Sequence, residues 1–379
     1  MDRRLFLAAS LGSLAIPSFA HAQRPPMRTR WKVRASEGFD ALAFLGPLSG
    51  GELYLPYYQA DANAFAPRLA GAVRSDIPAL SKEARRSGFG LLGPNLSVLF
   101  SNGSDADLRT LIACVAAPEA RLFPAYRASP YWNENDWRWF VGVAPRLKAL
   151  FEAMQAAGFA AFRDERAGAV TRRIAELDRD LADYDVIRLH EKLTGRVFDP
   201  LIEVVLLQFC KPHGIKVQGQ TFLQAADWNT PITVRNAAHE MLHPPVPMDG
   251  AAAQAALAVL AKDPLIPRVV ADHDPKWGYT TLEGLLNEDI AQALDQLISE
   301  ALGVARNPAD RWRKADDGIH VLAGAIYGML RHDRWMETGG SIEAWLAGAV
   351  RAGRFDPGRP HAIAAQVLER PVNALWPLA

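Results

Sequence analysis

Residues 237–246 read AAHEMLHPPV, two histidines four apart with a glutamate directly after the first. Side chains four apart on a helix lie one turn above another, so His239 and His243 can offer their imidazoles to a single ion. Glu240 would project beside that ion. The chemistry such a spacing serves is metal-assisted hydrolysis: the ion polarises a carbonyl and acidifies a water, and the carboxylate moves the proton.

A helix has to carry these residues, and its signals are present. Thr230 followed by Pro231 is a helix start, a capping hydroxyl and then proline at the first helical position. Val234, Ala237, Ala238, Met241 and Leu242 then fall on one apolar face, with Arg235, Asn236, His239 and His243 on the other side. Pro244 and Pro245 disfavour helical backbone at His243, so that ligand is expected at the last turn. On these residues the chain resembles the zincin metallopeptidases. The resemblance implies a bound Zn2+, amide hydrolysis, and Glu240 as the general base that takes a proton from water and passes it to the leaving amine.

A catalytic zinc needs a third protein ligand. The stretch after the motif, PPVPMDG, holds no histidine, so a glutamate on a later helix remains, as in the gluzincin branch. The segment YTTLEGLLNEDIAQALDQLISEALG offers Glu283 and Glu288. Thr280-Thr281-Leu282-Glu283 fits a capping box, which would fold Glu283 back on the helix start. Glu288 shares a stripe with Gly284, Gln292, Asp295 and Ser299, opposite Leu282, Leu286, Ile290, Ala293 and Leu297. The setting LLNEDIAQAL resembles the third-ligand helix of several gluzincin families, so Glu288 is preferred and Glu283 stays open. Asp272-His273-Asp274 reads as a turn, with His273 a reserve ligand.

The tetrahedral intermediate of such a reaction needs a further donor. DGIHVLAGAIYGMLRH places His320, Tyr327 and Arg331 on one stripe, with Tyr327 the first candidate and His320 the second. Packing at a helix interface accounts for both as well. Asp295 or Asn236 would orient the ligand histidines, and the sequence does not choose between them. The resemblance also implies that the strand KVQGQTFLQA lines the cleft and pairs with an extended substrate.

Around these residues, 379 residues provide for one large or two modest domains. Lys+Arg and Asp+Glu both total 42, so charge gives no argument for a nucleic-acid partner. Residues 1–22, with Arg3-Arg4 before an apolar run and Ala20-His21-Ala22 at its end, read as a cleavable signal resembling the twin-arginine type. That implies a periplasmic or secreted bacterial protein with no membrane anchor after cleavage. Cys114 and Cys210 would be one disulfide or two buried thiols.

From 31 to about 135 the short apolar runs, GELYLPYY and LSVLF among them, read as strands and loops with short helices, and SPYWNENDWRW as an aromatic loop. Helical periodicity sets in from 141 to 197. LIEVVLLQFC and GIKVQGQTFLQA then read as two strands, and Pro231 onward as helices. The expected fold is α+β and zincin-like: a mixed region over 23–140 with a small sheet, then a mostly helical catalytic region over 141–379 around the motif helix. The expected activity is an exported zinc metallopeptidase acting on peptide or protein. An inactive binding protein on the same scaffold, and a zinc amidase acting on cell-wall material, are the alternatives.

Overall fold

The structure is a computed structural model that describes residues 26–103, 105–274 and 277–377. The signal-like segment 1–22 lies outside the described residues. Among them, no helix is long and apolar enough to cross a membrane.

Four strands form one sheet: β1 (Arg30–Ala35), β2 (Leu201–Leu207), β3 (Ile215–Lys216) and β4 (Thr221–Ala225), in the order β1-β2-β4-β3. β1, β2 and β4 run parallel, while β3 is an antiparallel edge. β2 is apolar at nearly every position because both of its faces are covered by helices, as parallel strands require. Ile202, Val204 and Leu206 face one core and Val205 and Leu207 the other. The sheet is thus the partition between two helical layers.

The first layer is built from residues 37–164. It packs Phe44 against Phe65, Phe159, Phe162 and Phe209 with ring centroids 4.3–5.9 Å apart, and each such buried ring contributes about 2–3 kcal/mol. Asp40, fully buried, accepts from Arg163 Nε at 2.6 Å and from the backbone N–H groups of Gln208 and Phe209 at 2.6 and 3.1 Å. This one carboxylate ties the first helix, Glu37–Leu48, to the end of β2.

Here the structure corrects the sequence expectation. GELYLPYY leads into a helix, Leu55–Phe65, and LSVLF lies in another, Leu92–Phe100; β1 is the one strand before residue 200 among the described residues. A short apolar run has no period long enough to separate strand from helix. Packing decided it: Leu96, Leu99 and Phe100, at i, i+3 and i+4, are all buried in the first core. Residue 140 falls inside a helix, Glu134–Ala156, started by Asn133 of the aromatic loop, whose side chain accepts from the N–H groups of Asn135 and Asp136. The change from one core to the other comes between Phe162 and Ala167.

The second expected strand is broken into β3 and β4. Gly219, at φ +70°, supplies the left-handed turn between them, a conformation glycine adopts without strain. From Thr230 onward the chain is helical apart from short connections, as expected. Cys114 and Cys210 are buried in the same core and are not bridged.

Candidate metal centre

The motif helix spans Thr230–Glu240, and Asn229 rather than Thr230 caps it, its side chain accepting from Ile232 N at 3.0 Å. Val234, Ala237 and Ala238 are fully buried against the second core, which leaves His239 and Glu240 half-buried on the opposite side. The helix ends earlier than the motif does. Pro244 and Pro245 offer no N–H and crowd the residue before them, so His243 lies beyond the helix, in a turn closed by Leu242 N–H donating to His239 O at 3.0 Å. Lys216 on β3 fixes that turn by donating from Nζ to His243 O at 2.8 Å.

The opposing wall is the helix Leu282–Ala301, capped by Thr281, whose hydroxyl accepts from Gly284 N at 3.0 Å. The cap falls one residue later than the capping-box reading placed it. Glu283 therefore sits exposed in the first turn, while every residue from Glu288 to Ser299 is buried. Buried polar groups need partners: Glu288, Asp289, Gln292, Asp295 and Gln296 find them in one another, in the motif helix and in the helices that follow, whereas Ser299 Oγ has none among the described residues.

Three groups converge. His239 Nε2 lies 3.0 Å from His243 Nε2 and 3.4 Å from Glu288 Oε1, and His243 Nε2 lies 3.4 Å from Glu288 Oε2. With all their donor atoms within 4.8 Å of one another, His239, His243 and Glu288 could hold one metal ion.

The electrostatics fit a site waiting for positive charge. Burial disfavours a charged His239, yet Glu288, Asp295 and Glu240 outweigh it and raise its pKa to about 9. His243 moves the other way, to about 4, through burial and its cationic neighbour His239. Glu288 is held below the ordinary carboxylate range, since His239, His243 and His320 more than offset burial. Glu240 is lifted to about 7 by burial and by Glu288, against the pull of His239 and Lys216.

Outer groups aim these side chains. His239 Nδ1 donates to Asp295 Oδ2 at 2.7 Å, and Arg311 holds the same carboxylate through both terminal nitrogens, Nη2 at 2.8 Å. Asp295 stays ionised, its pKa brought to about 2 by Arg311 and His239 in spite of burial. Gln292 Nε2 donates to Glu288 Oε1 at 2.9 Å, and Trp312 Nε1 orients that amide by donating to Gln292 Oε1 at 2.8 Å. His190 Nε2 meets Ala238 O at 2.9 Å and braces the motif helix from behind.

No family model, curated protein or solved structure matches this chain.

What the site can do follows from its own geometry. Of the residues expected from sequence, His239, Glu240, His243 and Glu288 are brought together. Of the two orienting candidates Asp295 takes the role at His239, whereas Asn236 Nδ2 is buried with no partner among the described residues. Tyr327 is elsewhere: its hydroxyl donates to Glu300 at 2.6 Å, and it lines a separate hollow of about 860 Å³ that contains none of the cluster. His320 is fully buried behind Glu288, with Nδ1 on Asp289 at 2.6 Å and Nε2 on Asp316 at 2.9 Å. Burial opposes its charge, but those carboxylates win and hold its pKa up near 10. The ring nitrogens of His273 face backbone carbonyls, Nδ1 lying 2.9 Å from Val270 O and Nε2 2.5 Å from Gly278 O.

Lys216, Arg311, Gln292, Trp312 and Tyr279 take part without having been singled out as candidates. Only Gln292 carried a signal, its place on the Glu288 stripe. Tyr279 packs edge-on to His320 at 5.6 Å, and burial together with the charges of Glu288, Asp316 and Asp289, and least of Glu240, pushes its phenol pKa far up. Its φ of +56° is rare for a bulky residue.

Proposed function

We propose that this protein is a zinc-dependent hydrolase of peptide bonds, with His239, His243 and Glu288 holding the ion and Glu240 acting as general base. The observation that carries the reading is the convergence of those three donors within 4.8 Å beside Glu240. Ligand atoms at about 2.0–2.2 Å from a tetrahedral ion lie roughly 3.4 Å from one another; here the two Nε2 atoms are 3.0 Å apart and each lies 3.4 Å from the nearer Glu288 oxygen, Oε1 for His239 and Oε2 for His243. Two imidazoles and one carboxylate are also a donor set that zinc takes when one position is left open for chemistry. Zinc bound there would supply a Lewis acid that polarises a carbonyl and renders a water acidic near neutral pH.

The protein's own groups do the rest. Glu240, beside His239 and Glu288, can take a proton from the attacking water and return it to the leaving nitrogen. Tyr279, packed edge-on to His320 behind Glu288, is the proposed donor for the developing oxyanion in place of Tyr327. A strained backbone at such a residue is in keeping with a functional role.

Peptide as substrate is supported by β3. Val217 N–H bonds Thr221 O at 3.0 Å, so by strand alternation the N–H and C=O of Lys216 point away from β4, and the N–H meets Glu240. With that N–H taken by Glu240, the C=O of Lys216 is the group an extended chain would meet at this edge. Tyr131 of the aromatic loop stands at the same edge, its hydroxyl donating to Val217 O at 3.2 Å. The succession of parallel strands, antiparallel edge, motif helix and glutamate helix supports a zincin-like arrangement. Export belongs to the same reading and rests on residues 1–22.

The test is metal content of purified protein beside His239→Ala, followed by a peptide-library screen with Glu240→Gln as control. The expected result is about one zinc per chain, lost in His239→Ala, and hydrolysis lowered by about 10²–10⁴-fold in Glu240→Gln. Protein that stays zinc-free after zinc is supplied would overturn the reading.

A further inference from the structure

We infer that the cavity beside His239 contains an anion subsite, formed by Arg235 and Arg306, that receives a carboxylate of the substrate. It rests on the hydrolase reading for its substrate and goes beyond it in naming what the substrate must carry.

The cavity holds about 430 Å³, and His239 and Glu288 form part of its wall. Three guanidinium groups line it, those of Arg235, Arg306 and Arg311, against three carboxylates, those of Glu288, Asp295 and Asp316. The carboxylates are all committed. Glu288 faces the two histidines, Asp295 is shared by His239 and Arg311, and Asp316 is on His320. Two positive charges are left over.

Arg235 gives Nη1 to Val304 O at 2.8 Å and has no carboxylate partner among the described residues. Arg306, at the exposed mouth, has none either. Arg306 shares the cavity wall with Arg235 and Arg311; desolvation, and then those two guanidinium groups, outweigh the pull of Asp295 and Asp316 and bring its pKa down to about 10. The backbone of Arg306 is anchored: its carbonyl accepts from Gln296 Nε2 at 2.9 Å, and the next residue, Asn307, caps the helix Pro308–Lys314. Like charges lining one cavity are unfavourable until an anion joins them, and the guanidinium fork matches a carboxylate in two hydrogen bonds. Trp228 and Ile232 on the same wall would cover the aliphatic part of the residue that bears it.

The carboxylate can be the peptide's C-terminus or an acidic side chain, and the experiment separates them. Binding of matched acetylated hexapeptides to full-length Glu240→Gln protein in the presence of zinc would be measured by calorimetry. One peptide is neutral and C-terminally amidated, one has a free C-terminus, and one carries a single internal glutamate. The expected result is at least about tenfold tighter binding of one carboxylate-bearing peptide, which identifies the source. Arg306→Ala should collapse that ratio and Arg306→Lys restore part of it, with Arg235→Ala as the second variant. Equal binding across the set, no binding by any peptide, or a preference that persists in both alanine variants would overturn the inference. A preference without any turnover by the wild-type protein would instead remove the hydrolase reading and leave the subsite.

Discussion

Asp295 accepts from Nδ1 of His239 at 2.7 Å, seven residues and two turns along the same helix from Glu288. One helix therefore delivers a ligand of the candidate site and also the group that aims a second ligand. Holding Nδ1 as the donor leaves Nε2 of His239 as the face turned to Glu288 and His243.

Asp295→Asn keeps the size of the side chain and removes its charge. Metal affinity should fall by about 10–100-fold while the protein stays folded. Competition against a chelator of known affinity reads this, and an unchanged affinity would show that Asp295 serves Arg311 alone.

Metal uptake should release a proton at neutral pH. With its pKa raised to about 9, His239 is protonated at pH 7 in the metal-free protein, whereas His243, at about 4, is already neutral. Binding must displace the proton from His239 and also drives off the share that Glu240 holds near pH 7, so about one to two protons leave per ion at pH 7 and fewer as pH rises through 9. Calorimetry in buffers of different ionisation enthalpy counts it; no buffer dependence at pH 7 would contradict the assignment.

The two tyrosines should separate cleanly. Tyr279→Phe is expected to lower kcat by about 10–100-fold with little effect on KM, as loss of an oxyanion donor does. Tyr327→Phe removes the bonds to Glu300 and Arg331 and should cost about 1 kcal/mol of stability without touching turnover. Equal turnover by wild type and Tyr279→Phe would exclude it as the donor.

Asp263 holds the second core together from outside the site. It accepts from Leu265 N and Ile266 N at 2.8 and 3.0 Å and from Gly358 N at 2.9 Å, and pairs with His361 at 2.8 Å. These bonds outweigh burial and keep its pKa below the ordinary value. A depressed carboxylate stabilises the fold above its unfolded pKa, and that share is lost as pH falls through the folded value. Asp263→Ala should cost about 3 kcal/mol at neutral pH. The gap to wild type in denaturant melts should narrow below about pH 4; a constant gap would mean that its charge plays no part.

What the sequence determined by itself was whatever depends on local spacing. His239, Glu240 and His243 lie within five residues, and Glu288 stands out on its helix by periodicity, because a helix converts separations of three, four and seven into a shared face. The same logic located β2 and the helical run after Pro231. It failed for GELYLPYY and LSVLF, too short for a period to show, and by a residue at the caps of both site helices. Only the tertiary structure decided which distant groups meet the ligands. Arg311 at Asp295, Lys216 at the His243 turn, Trp312 at Gln292 and Tyr279 near Glu240 are set by how the helices and the edge strand pack, and no short-range pattern encodes contacts made across a core. Where the motif helix stops is again local, set by Pro244 and Pro245, while the bond from Lys216 that fixes the His243 turn comes from the packing of β3.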